Sequence, residues 1–507
     1  MSEDRKGLGL GFDWGLLEPL RSGASAELIS DAAVLAGMVA AEAALTAAWA
    51  RLGTGGTSSD ALRAATVLRA LSAKELPQQD LVAGNREHGN PVIALVGALS
   101  GRLPDAATRE WLHRGATSQD IVDTALMSVA ARVVPRVTAS LVEAGNSLAR
   151  IADEHRATPQ IGRTLTQHAS PTTFGAVAAS WLDGVTEAIA VLDGIACPVQ
   201  LGGAVGNGAG FLAFAGVPDA DRTVERLRAS FAAELGLDDP GRSWHTERTP
   251  LVSLGSALAT ATAVAGRIAV DLAVLARTEI AEVSSAGTSG ASSAMPQKQN
   301  PVTAVLIIGA ARRAPSALAT LYASALAEDQ RPAGAWHAEW QPFRELLGLA
   351  LDTADGLVEA TAQLVVDVPR LRANLFSTDG LAFSELTAAI LAPRLGREAA
   401  SAVVSDAVAS VASPTADASV ASPTADASTE DEPAAATQPR SDSVGLTAFE
   451  NAVRSELHRR GLPVDELADD LSAARLLALV VEATAPAIDA SIARFRAVSG
   501  RPEGPPS

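Results

Sequence analysis

Apolar residues recur at three- and four-residue spacing along most of this chain, the pattern of helices that bury one face. Asp31 to Arg51 reads as one helix, with Asp31 near its start and Gly53 just past its end. Gly- and Pro-rich punctuation follows through Gly55, Gly56 and Pro77 to AGNREHGNPV at 83–92. From Thr117 to about Val365 the stretches lengthen. Thr117–His155 reads as one helix or a pair, bent at Pro135, and Thr172–Ile195 as a second. Leu251–Val283 has no proline, and Gly255 and Gly266 are its only interior glycines; its ~33 residues would span roughly 50 Å at 1.5 Å per residue. Helices of that length suggest an extended bundle. Strand patterns are nearly absent.

The pattern therefore predicts an all-α protein with three helical domains, at 1–115, 116–365 and 366–507, the middle one a long-helix bundle. The third is interrupted at about 412–443. ASPTADAS occurs at 412–419 and again at 421–428, and TEDEPAAATQP follows. Such a composition cannot bury a core and predicts a disordered insertion, a tolerated loop expansion rather than a regulatory tether.

Composition sharpens this in three ways. Hydrophobic residues are 48% of the 507, yet aromatics are only 4%, because alanine, the best helix former, supplies much of the total. The single cysteine, Cys197, excludes an internal disulfide and suits a reducing cytoplasm. A formal charge of −18 argues against a nucleic-acid partner, which wants a basic footprint, but not against an anionic substrate, whose pocket is decided by a few local charges. MSEDRKGLGLGF does not read as a secretory signal, and no continuous apolar run approaches the ~18 residues of a membrane span. A soluble cytoplasmic chain is expected.

Three polar blocks carry the candidate chemistry. GTSGASSAMPQKQNPV at 287–302 combines flexible Gly and Ser with Met-Pro, one cation and one amide, a loop suited to presenting hydroxyls and charge to an anion. HRGATSQDIVDTAL at 113–126 contains Thr117, Ser118 and Asp120, which by themselves make a good helix start. GRTLTQHASPTTFG at 162–175 contains Arg163, Thr164, Gln167 and His168. The run GGAVGNGAG at 202–210 lacks the strand–helix setting of a dinucleotide loop and reads as a backbone turn. His88, His113, His155, His168, His245, His337 and His458 show no metal-ligand spacing.

The order of residues at 292–301, SSAMPQKQNP, is similar to the SSxMPxKxNP signature of the fumarase/aspartase superfamily, and the other two blocks resemble that superfamily's first and second regions in the expected order. The resemblance implies Ser292 as the proton-transfer residue on a closing loop. It implies Lys298, Asn300, Thr117, Ser118, Arg163, Thr164, Gln167, His168 and Arg248 as substrate-binding, with His88 and Asn90 from the 83–92 segment. Members that eliminate amines or water carry a catalytic histidine directly after the threonine of the second region; here that position is Leu165, which cannot transfer a proton. Carboxymuconate cycloisomerases also carry an apolar residue there. DWGLLEPLRSG at 13–23, SWHTERTP at 243–250 and GAWHAEWQPFREL at 334–346 resemble their segments too.

Within that branch the implied reaction is attack of a substrate carboxylate on a diene, converting 3-carboxy-cis,cis-muconate, a small tricarboxylate, to 4-carboxymuconolactone in the protocatechuate branch of the β-ketoadipate pathway. The other reactions implied are β-elimination from a substituted succinate by the same fold, or a catalytically silent relative. No cofactor or metal is implied. A homotetramer with shared active sites is. Five positions depart from the cycloisomerase pattern: Arg114 replaces an aromatic residue, Glu247 a glutamine, and Ala291, Gln297 and Gln299 the commoner glycine, histidine and arginine.

Overall fold

Ser30 opens the first long helix by accepting the Ala33 N–H on its hydroxyl at 3.1 Å, and Gly53, at φ +68°, ends it in the left-handed conformation that glycine adopts without strain. This is α1 (Asp31–Leu52), where the pattern placed it. The computed structural model describes residues 16–53, 58–216, 220–287, 295, 297–412 and 447–500. Ser292 and positions 413–443 of the expected insertion lie outside these.

The helices that frame the rest are α2 (Gln78–His88), α3 (Val92–Ser100), α4 (Ser118–Glu154), α5 (Phe174–Asp193), α6 (Ala209–Ala215), α7 (Thr249–Leu275), α8 (Val302–Ser324), α9 (Ala335–Ala362), α10 (Arg397–Ala412), α11 (Ala448–Arg459) and α12 (Ala473–Ser499). α4 runs through Pro135 without a break. A proline in a helix interior removes one hydrogen bond and crowds the preceding turn, but here Val133 and Val137 on either side are fully buried and hold the helix in place. The inward stripe of α4 (Ile121, Ala125, Val133, Val137, Leu141, Leu148) faces α1, α5 and α9, while α8 packs on α7 and α9. Small residues set the spacing. A Cβ on Gly37 would come within 3.1 Å of the Ala125 carbonyl, and one on Gly145 would strike the Phe495 ring, through which α12 returns to the bundle.

The N-terminal and central helices share one continuous core. A second core, built from Phe383, Leu391, Val403, Phe449, Leu457 and Leu471 among others, lies in the C-terminal part, where α10 packs on α11.

Two local expectations give way. α7 stops at Leu275, eight residues before the patterned end at Val283. The buried Glu282 holds partners on other elements, which takes the chain out of helix, and β3 (Val283–Ser285) then pairs antiparallel with β4 (Leu364–Val366). Strand patterns are nearly absent from the sequence, yet the second polar block is a hairpin: β1 (Pro159–Thr164) pairs with β2 (Gln167–Thr173), Thr164 opposite Gln167. A Cβ on Gly162 would lie 2.4 Å from the Ser170 carbonyl oxygen, so only glycine fits this irregular register.

No continuous apolar run suggested a membrane span, yet among the described residues six helices, α4, α7 and α8 among them, are long and apolar enough to cross one by length and composition. Alanine-rich faces that pack on neighbouring helices give the same average hydropathy as a lipid-facing stretch. Cys197 is buried, and burial followed by the nearby Asp238 charge pushes its thiol up to about 12, so it stays protonated and unreactive.

Candidate active site

Asp120, in the first turn of α4, ties three segments together. Its carboxylate accepts the N–H groups of Thr117 at 3.0 Å, Gly202 at 2.8 Å and Gly203 at 2.9 Å. The fourth bond to this carboxylate runs from His245 Nε2, 2.8 Å away. The run at 202–210 is thus a turn, with Gly203, Gly206 and Gly208 at positive φ, bound to the start of α4, as its composition suggested.

One turn further along α4, Asp123 lies in a buried ionic cluster. Arg248 donates from Nη1 to Asp123 Oδ2 at 2.8 Å and from Nε to Glu339 Oε2 at 3.2 Å; its Nη2 also contacts Glu339 Oε1, and its guanidinium stacks on Trp244 at 4.5 Å. Trp336 Nε1 donates to Asp123 Oδ1 at 2.9 Å. His337, the next residue of α9, donates from Nε2 to the Gly89 carbonyl at 2.8 Å, which brings the 88–90 segment to the same end of the bundle. Burial pushes the Glu339 carboxyl up to about 7. Arg248 opposes that shift, and Asp123, a second carboxylate on one cation, reinforces it. Arg248, expected to bind substrate, has a side chain that is 2% exposed and engaged by two protein carboxylates.

Arg163, also expected to bind substrate, is engaged in a similar way. Its guanidinium forks onto the fully buried Glu282, at 3.0 Å from Nη1 and 2.5 Å from Nη2. Gln160 and Asn374 complete the Glu282 carboxylate at 3.0 and 2.8 Å. Bidentate geometry of this kind fixes orientation, and here it locks the hairpin to the strand that leads into the 287–302 loop.

The remaining expected residues are distributed. Thr117 and Ser118 open α4 and are partly exposed. His88 ends α2 and is exposed, whereas the Asn90 side chain accepts the Val92 N–H at 3.1 Å and so caps α3. Lys298 and Asn300 line a cavity of about 610 Å³ with Arg277, Ser284 and Gln363. Gln167 and His168 line a different cleft, against Ser384 and Glu385. Thr164 is exposed at the end of β1, and Leu165, 96% exposed, forms the hairpin tip with Thr166. Among the described residues, Thr117, Ser118, His88 and Asn90 line neither of these two cavities.

Among the described residues no group of three His, Cys, Asp or Glu side chains is gathered as a metal site. Glu247, one of the departures, stays ionised. Burial would raise its carboxyl, but the Thr249 hydroxyl, Arg242 and the Thr249 N–H together hold it below the usual range.

Residues 18–315, more than half of the chain, match the family described as Lyase. This chain belongs to the fumarase/aspartase lyase superfamily. Among its relatives, the nitrosuccinate lyase of Streptomyces davaonensis is 47% identical over 402 residues, 78% of this chain and 84% of that protein. A 3-carboxy-cis,cis-muconate cycloisomerase of Pseudomonas aeruginosa is 38% identical over 388 residues, 74% of this chain and 81% of that protein. The solved structure of the 3-carboxy-cis,cis-muconate lactonizing enzyme from Pseudomonas putida superposes with a TM-score of 0.76 at 28% identity, covering 95% of this chain and 99% of that one. The all-α architecture of the lyases is therefore the architecture here.

Sequence reading named His113 in the first block without giving it a task. The fold holds it against a buried carboxylate: His113 Nδ1 is 2.7 Å from Glu42 Oε1, its backbone N–H is 3.1 Å from Oε2, and its φ is +53°. Burial opposes a charge on the ring, but Glu42, and then Asp120, outweigh it and raise its pKa. A histidine whose folded pKa is raised stabilises fully below its unfolded value of about 6.5 and loses that contribution as pH rises through the folded value. Wild-type protein should therefore lose urea resistance as pH rises above neutrality, and His113→Asn should flatten that slope. Parallel slopes for the two proteins would remove His113 as the cause.

Proposed function

We propose that this lyase catalyses β-elimination from a substituted succinate whose substituent departs as a stable anion, nitrite being the best fit. The observation that carries this is Leu165 at the hairpin tip. An aliphatic side chain cannot protonate a leaving group, so an amine or hydroxide would have no acid at that position. Nitrite is a weak base and needs none. The 47% identity to a nitrosuccinate lyase supports the same reading.

In this reaction Ser292 takes the proton next to one substrate carboxylate, and Lys298 and Asn300 hold that carboxylate as it gains aci-carboxylate character. The electron pair of the broken C–H bond becomes the new double bond. The pair of the C–N bond leaves with nitrite, and the organic product is fumarate. Lactonisation is the second reading. It too has no leaving group to protonate, and the cycloisomerase relatives favour it. Glu247, paired with Arg242, stands where cycloisomerases have a glutamine and is a departure from their pattern.

The working form is taken to be a soluble, cytoplasmic homotetramer with active sites composed from several subunits. Only 22% of the apolar window of α8 is buried in the protomer, and Val305 and Tyr322 stand half exposed on it, a face that an oligomer core would cover. The separate cavities of the second and third blocks support composite sites. Mixing inactive Ser292→Ala and His168→Ala chains under subunit exchange should restore part of the activity; proven exchange with no recovery would count against shared sites.

The decisive assay offers purified protein nitrosuccinate, 3-carboxy-cis,cis-muconate, argininosuccinate and adenylosuccinate in parallel. Equimolar fumarate and nitrite from the first, with the others untouched, is the expected result. Efficient lactonisation of the muconate would overturn the elimination reading.

A further inference from the structure

Three arginines near the blocks are neutralised by carboxylates: Arg163 by Glu282, Arg248 by Asp123 and Glu339, and Arg242 by Glu247. Arg114 is different. It stands three residues before Thr117, and among the described residues no carboxylate lies within ion-pair reach of it. Its guanidinium rests instead on aromatic faces, 4.4 Å from the Trp111 ring centre and 4.7 Å from that of Phe214, with Trp49 at 5.9 Å. Its hydrogen bonds, to the Glu110 and Phe214 carbonyls, are long at 3.3 and 3.4 Å, and its Nε is buried without a partner. The backbone around it is fixed. Trp49 Nε1 donates to the Arg114 carbonyl at 3.0 Å, and a Cβ on Gly203 would lie 3.0 Å from the Gly115 carbonyl oxygen, so the 202–208 turn is in contact.

Aromatic faces attract a cation without satisfying its N–H donors. A guanidinium held this way keeps its full charge and much of its hydrogen-bonding capacity for an external anion. We infer that Arg114, from its aromatic cradle beside the Thr117–Ser118 helix start, receives the anionic substituent that departs from the substrate. This rests on the elimination reading above. As the C–N bond breaks, its electron pair goes to the departing nitrite, while the abstracted proton stays on the base. Charge growing on the nitrite oxygens then meets a fixed cation where other lyases supply an acid. The cycloisomerases, with an aromatic residue at this position and no departing group, have no need of that cation. Arg114 is in these terms a specificity-determining residue.

The test uses the full-length protein, the Arg114→Met variant and Arg114→Trp, which restores the aromatic residue. Calorimetric titration with sodium nitrite in the presence of fumarate should show binding to wild type that weakens about 10–100-fold in both variants, the range of one charge-assisted hydrogen bond. Fumarate affinity should stay within about twofold. Equal nitrite affinity in all three proteins, or no nitrite binding to wild type, overturns the inference. Parallel loss of fumarate and nitrite binding also overturns it, because that outcome describes a merely structural residue. Nitrite binding that depends on Arg114 in a protein that does not consume nitrosuccinate would leave the anion site standing and reject the reaction instead.

Discussion

Ser292→Ala is expected to fold normally and to lose about 10²–10⁴-fold in turnover, equivalent to roughly 3–5 kcal/mol of barrier. A serine hydroxyl is a poor base unless positive potential stabilises its alkoxide. Two sources follow it in the chain: Lys298, and the N-terminal end of α8, which starts at Val302. Ser293→Ala should lose much less and serves as the control. Initial rates of fumarate release, compared at equal helical circular dichroism, decide the matter. Near-normal turnover in a folded Ser292→Ala protein would take this residue out of the reaction.

The largest loss of stability is expected from Arg248→Met. Asp123, Arg248 and Glu339 form a cluster of two carboxylates on one cation, with side chains 0–2% exposed. Removing the guanidinium leaves two like charges in a buried site, and breaking a buried pair costs about 3–5 kcal/mol. The deficit should shrink as pH falls, because protonating Glu339, already pushed up to about 7, removes an uncompensated charge. Adding Glu339→Gln to Arg248→Met should recover part of the loss. Urea denaturation at pH 6 and pH 8 measures both effects; a loss below about 1 kcal/mol, typical of exposed pairs, would show that water reaches the cluster.

The parts of this molecule that could be read from sequence are those governed by neighbours in the chain. α1 has a capping serine and a terminal glycine within a few residues of its ends, so its limits were legible. α7 has no such stop, and its end is set by Glu282 gripping Arg163, 119 residues away, and Asn374, 92 residues away. The hairpin was hidden for a related reason. Two-residue hairpin turns favour Asn-Gly because both residues take positive φ, and this one uses Leu165 at +50° and Thr166 at +68°. The three chemical blocks were legible as motifs. What sequence could not supply was which arginines are already neutralised: the partners of Arg248 lie 125 and 91 residues away, and only folding places them.

The packing of α10 on α11 has a consequence for how this chain can be cut and lengthened. These helices flank positions 413–446 and hold each other through the second core, so the two chain ends are kept together by side chains rather than by the stretch that joins them. Contacts made by α10 and α11 do not depend on the length of the stretch between them. Extra copies of the eight-residue repeat, the common product of replication slippage, would therefore be nearly neutral. A protease that nicks the stretch should yield two fragments that co-elute and remain active, and the same position is the natural place to divide the gene into a split enzyme.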